Sequence, residues 1–430
     1  MKIRKHELTM SKKNPLCIKY LLLIFTCVIL VHTQYHNVYS GTTTSNSSII
    51  TVKEGESIQE AINKAPEGAT IYIEPGTYIQ YQIIVNKTLT IIGKNREETI
   101  INGNQEEEAT ALFSVIANHV TIKNLTITNA RNDIGIAIIL KNVQNITIEN
   151  CKITENHCGI EFTNCNNSRI TLNILTNNTY GIKITSGASS HIAFNNFKNN
   201  TYGISFNINA KNNIIYCNNF ENTMNREGLG VSFNKWNSTY VLGGNYWNDY
   251  SENDQKGGPN QDQPGSDGIG DKAYSEEDYY PYIRKLQFFK LGLWNSKEYY
   301  LTISTNASNI SNVIFNPEQK IISFTTQQDI TAYCRIVIPR TLLDAAKNEW
   351  KITANQESII PTIFQDEDFT CFYFTFSQNV NQITIEGITA IPELQPNFVA
   401  LILLITTLIT ILIRKILKGQ RKDRTIFHNP

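Results

Sequence analysis

The sequence predicts an all-β chain. A right-handed parallel β-helix (solenoid) precedes a small β-sandwich, with an N-terminal signal segment and a C-terminal transmembrane helix at the ends. Three observations carry this. Asn132, Asn156, Asn178, Asn200 and Asn222 recur every 22 to 24 residues, the first four each three residues before a Gly-Ile pair. Ile122, Ile146, Ile170, Ile192 and Ile214 repeat in phase with them. Both ends carry apolar runs flanked by lysine and arginine. A period of about 20–30 residues built from short β-branched segments belongs to a solenoid, whose coils bury their apolar faces against one another. The Asn column suits tight turns, because Asn tolerates left-handed backbone and its amide can bond the Asn of the next coil.

Residues 1–40 read as a signal peptide. Lys2, Arg4, Lys5, Lys12, Lys13 and Lys19 precede the apolar run 20–31, which is short for a membrane span, and Val38 and Ser40 suit cleavage before Gly41. Residues 49–243 read as the β-helix, from segments such as 71–73, 89–92, 120–122, 146–148 and 170–172. Eight or nine coils at ~4.8 Å spacing make a rod about 40 Å long. Ser57 opens a short helix to Lys64, with Ile58, Ala61 and Ile62 on one face, placed to cover the open edge of the first coil. Residues 244–285 form an Asp/Gly-rich cap loop between two aromatic clusters, Tyr246, Trp247, Tyr250 and Tyr279, Tyr280, Tyr282. Residues 286–390 space six strands as a small β-sandwich would, with one short helix expected over 342–347. Residues 398–417 read as the transmembrane helix and 418–430 as a basic cytoplasmic tail, which puts the remainder outside the membrane.

Charge supports this division. The chain has 38 basic and 38 acidic residues; six basic residues lie in the leader and six at the C-terminus, against only Glu7 and Asp423. The part between is therefore acidic, near −10, a poor surface for nucleic acid. Sequons at Asn46, Asn86, Asn124, Asn145, Asn166, Asn177, Asn199, Asn237, Asn306 and Asn309 agree with export. Cys151, Cys158, Cys165, Cys217, Cys334 and Cys371 contain no C-x-x-C, which speaks against a zinc or iron–sulfur site. They read as buried thiols or disulfides, Cys334–Cys371 being the first pair to expect.

Residues 58–78 resemble the opening segment shared by pectate-lyase-type and NosD-type right-handed β-helix proteins. Residues 244–247 (Gly-Asn-Tyr-Trp), Asp249, Tyr250, 267–271 (Asp-Gly-Ile-Gly-Asp) and 278–281 (Asp-Tyr-Tyr-Pro) are similar to the terminal signature of NosD-like proteins, with Ala273 where proline is usual. The 286–390 segment and the Pro-Glu-Leu at 392–394 resemble the membrane-proximal part of archaeal surface proteins, with Leu394 in place of an aromatic residue. The resemblance implies an exported solenoid. Proteins of this class include carbohydrate binders, polysaccharide lyases and hydrolases, and a periplasmic factor linked to copper-site maturation.

The residues weigh these chemistries differently. Hydrolysis needs paired carboxylates, yet Asp133 is the only aspartate between 101 and 243, so the chain leans away from an enzyme. Copper needs converging His, Cys or Met, and His119, His157 and His191 fall in different phases of the coil. Asp249, Asp254, Asp262, Asp267 and Asp271 supply hard oxygen ligands in a Gly-rich loop, which suits Ca²⁺; solvated Asx turns would use the same residues. Tyr180 and Tyr202, one coil apart, could stack on successive sugars or simply on each other. The sequence therefore points to a cell-surface protein that binds glycans or surface-layer proteins, or that serves as a structural or adhesive rod.

Overall fold

A computed structural model describes residues 48–104, 110–130, 133–294 and 297–391. The expected signal peptide, transmembrane helix and basic tail lie outside the described residues, as does Asn132. Among the described residues no helix is long and apolar enough to cross a membrane.

The first 200 described residues wind into a parallel β-solenoid of about eight turns. Each coil contributes one strand to each of three sheets, as in Arg169–Thr171, Ile174–Thr176 and Tyr180–Ala188. The first and second sheets have eight strands and the third has seven. Inside, Ile71, Ile91, Ile122, Ile148, Ile170, Ile192 and Ile215 stack rung on rung, all fully buried. This corrects the isoleucine column read from the sequence. Ile146 sits one position before the Thr147–Thr121 pair, and Ile214 pairs with His191. The cause is uneven coil length: the added residues are taken up at corners and bulges, so a constant step slips by one or two. In the second sheet the inward column turns aromatic toward its end. Phe197, Phe220, Trp247 and Tyr274 stack in sequence with centroids 4.7, 4.5 and 4.2 Å apart.

Every coil turns three corners, and between residues 155 and 218 all three obey one rule. A residue in left-handed backbone is followed by a residue whose side chain serves the neighbouring coil. Leu172, Asn177 and Ser189 have φ of 60, 55 and 58°, and Asn173, Asn178 and Ser190 follow them. The left-handed position is thus the residue before the ladder Asn, not the ladder Asn itself. At the first corner the N–H groups of Cys151, Asn173, Asn195 and Asn218 donate to the Oδ1 of Asn173, Asn195, Asn218 and Asn245. At the second, those of Ala130, Asn156, Asn178 and Asn200 donate to Asn156, Asn178, Asn200 and Asn222. The rung below Asn156 is therefore Ala130. At the third, Ile146, Ser168, Ser190 and Asn213 donate to Ser168, Ser190, Asn213 and Asn234.

The first coil is closed by the helix Ile58–Lys64, N-capped by Ser57. Its Gln59 amide bonds both the N–H and the carbonyl of Ile84 on the edge strand Ile83–Val85, which removes a free strand edge. The last coil is closed by residues 244–282. Buried Asp278 ends the first ladder by accepting from Asn245 N–H, Asn245 Nδ2 and Trp247 Nε1 through one oxygen and from Tyr280 N–H through the other. Burial pushes its carboxyl up to about 7 and these donors pull the other way.

Residues beyond 285 form two five-stranded antiparallel sheets sharing one core, which includes Leu301, Ile336 and Phe372 from one sheet and Ile322, Ile352 and Ile383 from the other. No helix forms over 342–347. Leu343–Asp344 pairs instead with Thr389–Ala390, while Leu342 and Leu343 are fully buried. So short a helix would have no margin of its own, and the buried leucines decide the outcome. Cys334 and Cys371 are free thiols, as are the other four described cysteines. Cys334 pairs with Phe374 and Cys371 with Val337, so the two cysteines face opposite sides of the sheet. The sheets are fixed to the solenoid by Arg335, fully buried, which donates to the carbonyls of Asp267 and Tyr240 and lies over the rings of Tyr240 and Tyr282.

Asn195 tests the ladder. Its side chain accepts from Asn173 and donates to Ile170 O, Ala193 O and Asn218. Asn195→Ala strands several buried partners, and equilibrium denaturation is expected to show a loss of about 2–4 kcal/mol. A loss below about 0.5 kcal/mol would sink the ladder as a stabilising device.

Candidate functional site

Outward-facing residues of the third sheet form a chemically mixed face. Tyr180 and Tyr202 stack with centroids 4.9 Å apart at an interplanar angle of 16°, both half-buried. Their positions follow from register: Cys158, Tyr180, Tyr202 and Met224 occupy one column. The His157 ring meets Tyr180 edge-on at 5.6 Å. On the corner side of the tyrosines lies a trough of about 550 Å³ lined by Asn129, Glu155, Asn177, Thr179, Asn199, Thr201 and the ladder residues Asn156 and Asn178. On the opposite side is a second hollow of about 250 Å³ that includes Lys183, Thr185, Ser205 and Asn207.

A further outward column runs Glu161, Lys183, Ser205, Glu227. Lys183 lies 4.0 Å from Glu161 and over the Tyr180 ring, Thr185 donates to Glu161, and Ser205 donates to Glu227. These residues escaped the sequence reading, though their spacing of 22 is the same as that of the Asn column. Three rungs separate Glu161 from Glu227, about 14 Å at ~4.8 Å per rung. Two-carboxylate glycoside hydrolysis works at about 5–9.5 Å, so this pair does not suit it.

The five loop aspartates are not brought together. Asp254 accepts from the N–H groups of Asp267 and Gly268, and Asp271 from those of Gln255 and Lys256. Asp267 accepts from Tyr240, Gly258, Gln261 and Ile269, and Asp249 from Asn225 and Tyr274. Asp262 is exposed. Burial pushes the Asp254 carboxyl up to about 6. These are turn-forming and capping uses of carboxylates. Among the described residues no group of three His, Cys, Asp or Glu could hold a metal ion. His157 stands beside the Tyr180 ring, and its neighbour Cys158 is buried, with a thiol pushed up by desolvation. Met224 is exposed on the rung beyond Tyr202. The described His, Cys and Met side chains therefore do not fit a copper site.

The architecture and this face define a β-helix repeat protein with an aromatic and amide-rich flank. A family model described as "Periplasmic copper-binding protein (NosD)" matches residues 27–252, more than half of the chain, and the chain belongs to the NosD family. Among solved structures it is similar to the rice weevil pectin methyl esterase, at 14% identity over 48% of this chain and 77% of that one, with a TM-score of 0.32. It is also similar to the pectin methylesterase of Yersinia enterocolitica, at 15% identity over 45% and 77% with a TM-score of 0.30. A third is the Family 28 exopolygalacturonase of the same organism, at 14% over 46% and 58% with a TM-score of 0.28. No curated protein matches the chain.

Burial lowers the pKa of both His157 and His191, with help from Lys183 and Arg169 respectively. Folded values below the unfolded value mean that the folded state binds fewer protons. Their contribution to stability is full above about pH 6.5 and is lost as pH falls through the lowered values. NMR titration of the ring protons should give both midpoints below 6.5. A midpoint at or above 6.5 for His157 would contradict its packing against Tyr180 and Lys183.

Proposed function

We propose that this is an exported glycan-binding protein held at the cell surface, with the Tyr180–Tyr202 face as its binding surface. One observation carries the proposal: a stacked, half-exposed tyrosine pair stands between an amide-lined trough and a smaller hollow where Lys183, Thr185, Ser205 and Asn207 sit beside Ile184, Phe206 and Leu229. Aromatic faces pack against the apolar C–H faces of pyranose rings, while amides and hydroxyls satisfy the ring hydroxyls. Anchoring rests on the apolar run 398–413 with its basic flank, and export is consistent with a family described as periplasmic. The acidic balance of the chain between its ends disfavours nucleic acid. The alternative partner is a surface-layer protein, with the solenoid as an adhesive or structural rod. Catalysis is disfavoured by the wide separation of Glu161 and Glu227, and copper maturation by the scattered His, Cys and Met.

Binding of the full-length protein to an array of polysaccharides is the test. Tyr180→Ala and Tyr202→Ala are each expected to weaken binding at least about fivefold, or ~1 kcal/mol, whereas Tyr202→Phe retains it. Chelation of Ca²⁺ should leave affinity unchanged; its loss on chelation would return the acidic loop to consideration as a cation site. Release of reducing or unsaturated ends from a bound polysaccharide would replace the binding proposal with an enzymatic one.

A further inference from the structure

The two hollows flank Tyr180 and Tyr202 on opposite sides along the strands, and the charges that line and border them can be read residue by residue. The trough on the corner side contains amides, threonine hydroxyls and one carboxylate, Glu155, with no cation among its lining residues. The hollow on the other side has Lys183 as its only charged lining residue. Lys183 is already committed, 4.0 Å from Glu161 and above the Tyr180 ring. Glu227 lies in the same outward column, accepting from Ser205. Around the tyrosines there are thus three carboxylates, Glu155, Glu161 and Glu227, against one ammonium.

The direction follows from where the hollows lie. Trough, tyrosines and second hollow succeed one another along the same two strands, Tyr180–Ala188 and Tyr202–Lys211, from Asn178 and Thr179 through Tyr180 to Lys183 and Thr185. A chain filling both hollows runs along the rungs, at right angles to the solenoid axis. At ~3.3 Å per residue the span from Asn178 to Thr185 is about 23 Å, room for about four pyranose units.

Resting on the glycan-binding proposal above, we infer that the ligand is an uncharged or amino-sugar oligosaccharide of about four units, lying along the rungs over Tyr180 and Tyr202, and that uronate polymers are rejected. A uronate chain would bring a carboxylate to each unit against three fixed carboxylates at the half-exposed surface, where like charges a few ångströms apart repel appreciably. An N-acetylated sugar meets amide donors and acceptors instead, and a glucosamine ammonium finds carboxylates.

Isothermal titration of the full-length protein with three oligosaccharide series of two to six units separates the possibilities. The series are β-1,4-linked N-acetylglucosamine, β-1,4-linked glucosamine and α-1,4-linked galacturonate. The expected result is binding of the first or second series at least about tenfold tighter than galacturonate, rising with length and levelling at about four units. In the double variant Glu161→Gln, Glu227→Gln the ratio of N-acetylglucosamine to galacturonate affinity should shrink several-fold. Raised salt should narrow the gap in the native protein in the same way. Galacturonate binding equal to or tighter than the other series, or affinity still climbing at six units, overturns this inference and leaves glycan binding standing. Absence of binding by all three series, with the fold verified by circular dichroism, overturns both.

Discussion

The fold depends on how a chain turns three corners per coil without stranding a buried N–H. At the corners between residues 155 and 218 the backbone passes through the left-handed region, and the next N–H points into the stack, where no strand partner exists. An Asn or Ser one coil further on meets it, and its own N–H is met in turn by the coil beyond. Asn is suited twice over, because the same amide donates to a carbonyl of an earlier coil, as Asn195 does to Ile170. A buried unsatisfied N–H costs about 1–3 kcal/mol, so a corner lacking its ladder residue would offset much of the gain from its coil. The ladders also tie each coil to the next, which makes the solenoid cooperative along its axis.

Such a stack must be closed at both ends. At the start, Gln59 and the helix occupy the edge of the third sheet. At the finish, Asp278 is the last acceptor of the first ladder. A carboxylate serves there because four N–H groups converge and nothing follows to supply an acceptor for an amide NH₂. The space is so tightly drawn that a Cβ on Gly244 would collide with this carboxylate. Arg335 then fixes the following sheets to the closed end, using carbonyls of 240 and 267 that the cap leaves directed outward.

Much of the solenoid was legible because its period is written in two residue types, Asn and Ile. What the period could not convey was which of two adjacent residues did what. In the Asn-Asn pairs at 177–178 and 199–200, the first residue adopts the left-handed turn and the second enters the ladder, and composition does not separate them. The other two ladders were hidden by mixing Ser with Asn and by steps that vary from 21 to 27 residues. The loop aspartates posed a different difficulty. Sequence reports the carboxylates but not the backbone N–H groups that fill their lone pairs, so a set of turns reads like a set of cation ligands. Tyr180 and Tyr202 were visible through their spacing, whereas Glu161 and Glu227 become meaningful only once the outward column is assigned.

The corners also tell which flank of the solenoid is free. At the first corner the left-handed residues of three successive coils are Leu172, Phe194 and Cys217, where the other two corners favour Asn. Left-handed backbone costs such side chains about 1–2 kcal/mol each, so burial must compensate. It does so in part: Phe194 meets Phe288 edge-to-face at 5.7 Å and Cys217 is fully buried, while Leu172, half-buried, borders a hollow of about 320 Å³ shared with the strand Lys297–Thr305. The strained corner is therefore the one that faces the antiparallel sheet containing Phe288 and Lys297–Thr305. At the second corner Asn177 and Asn199 remain in the left-handed position, exposed and unstrained. That corner has no apolar surface to hide, and it opens directly onto Tyr180 and Tyr202. Docking of one flank thus leaves the amide-rich flank, with the stacked Tyr180 and Tyr202 beside it, facing solvent.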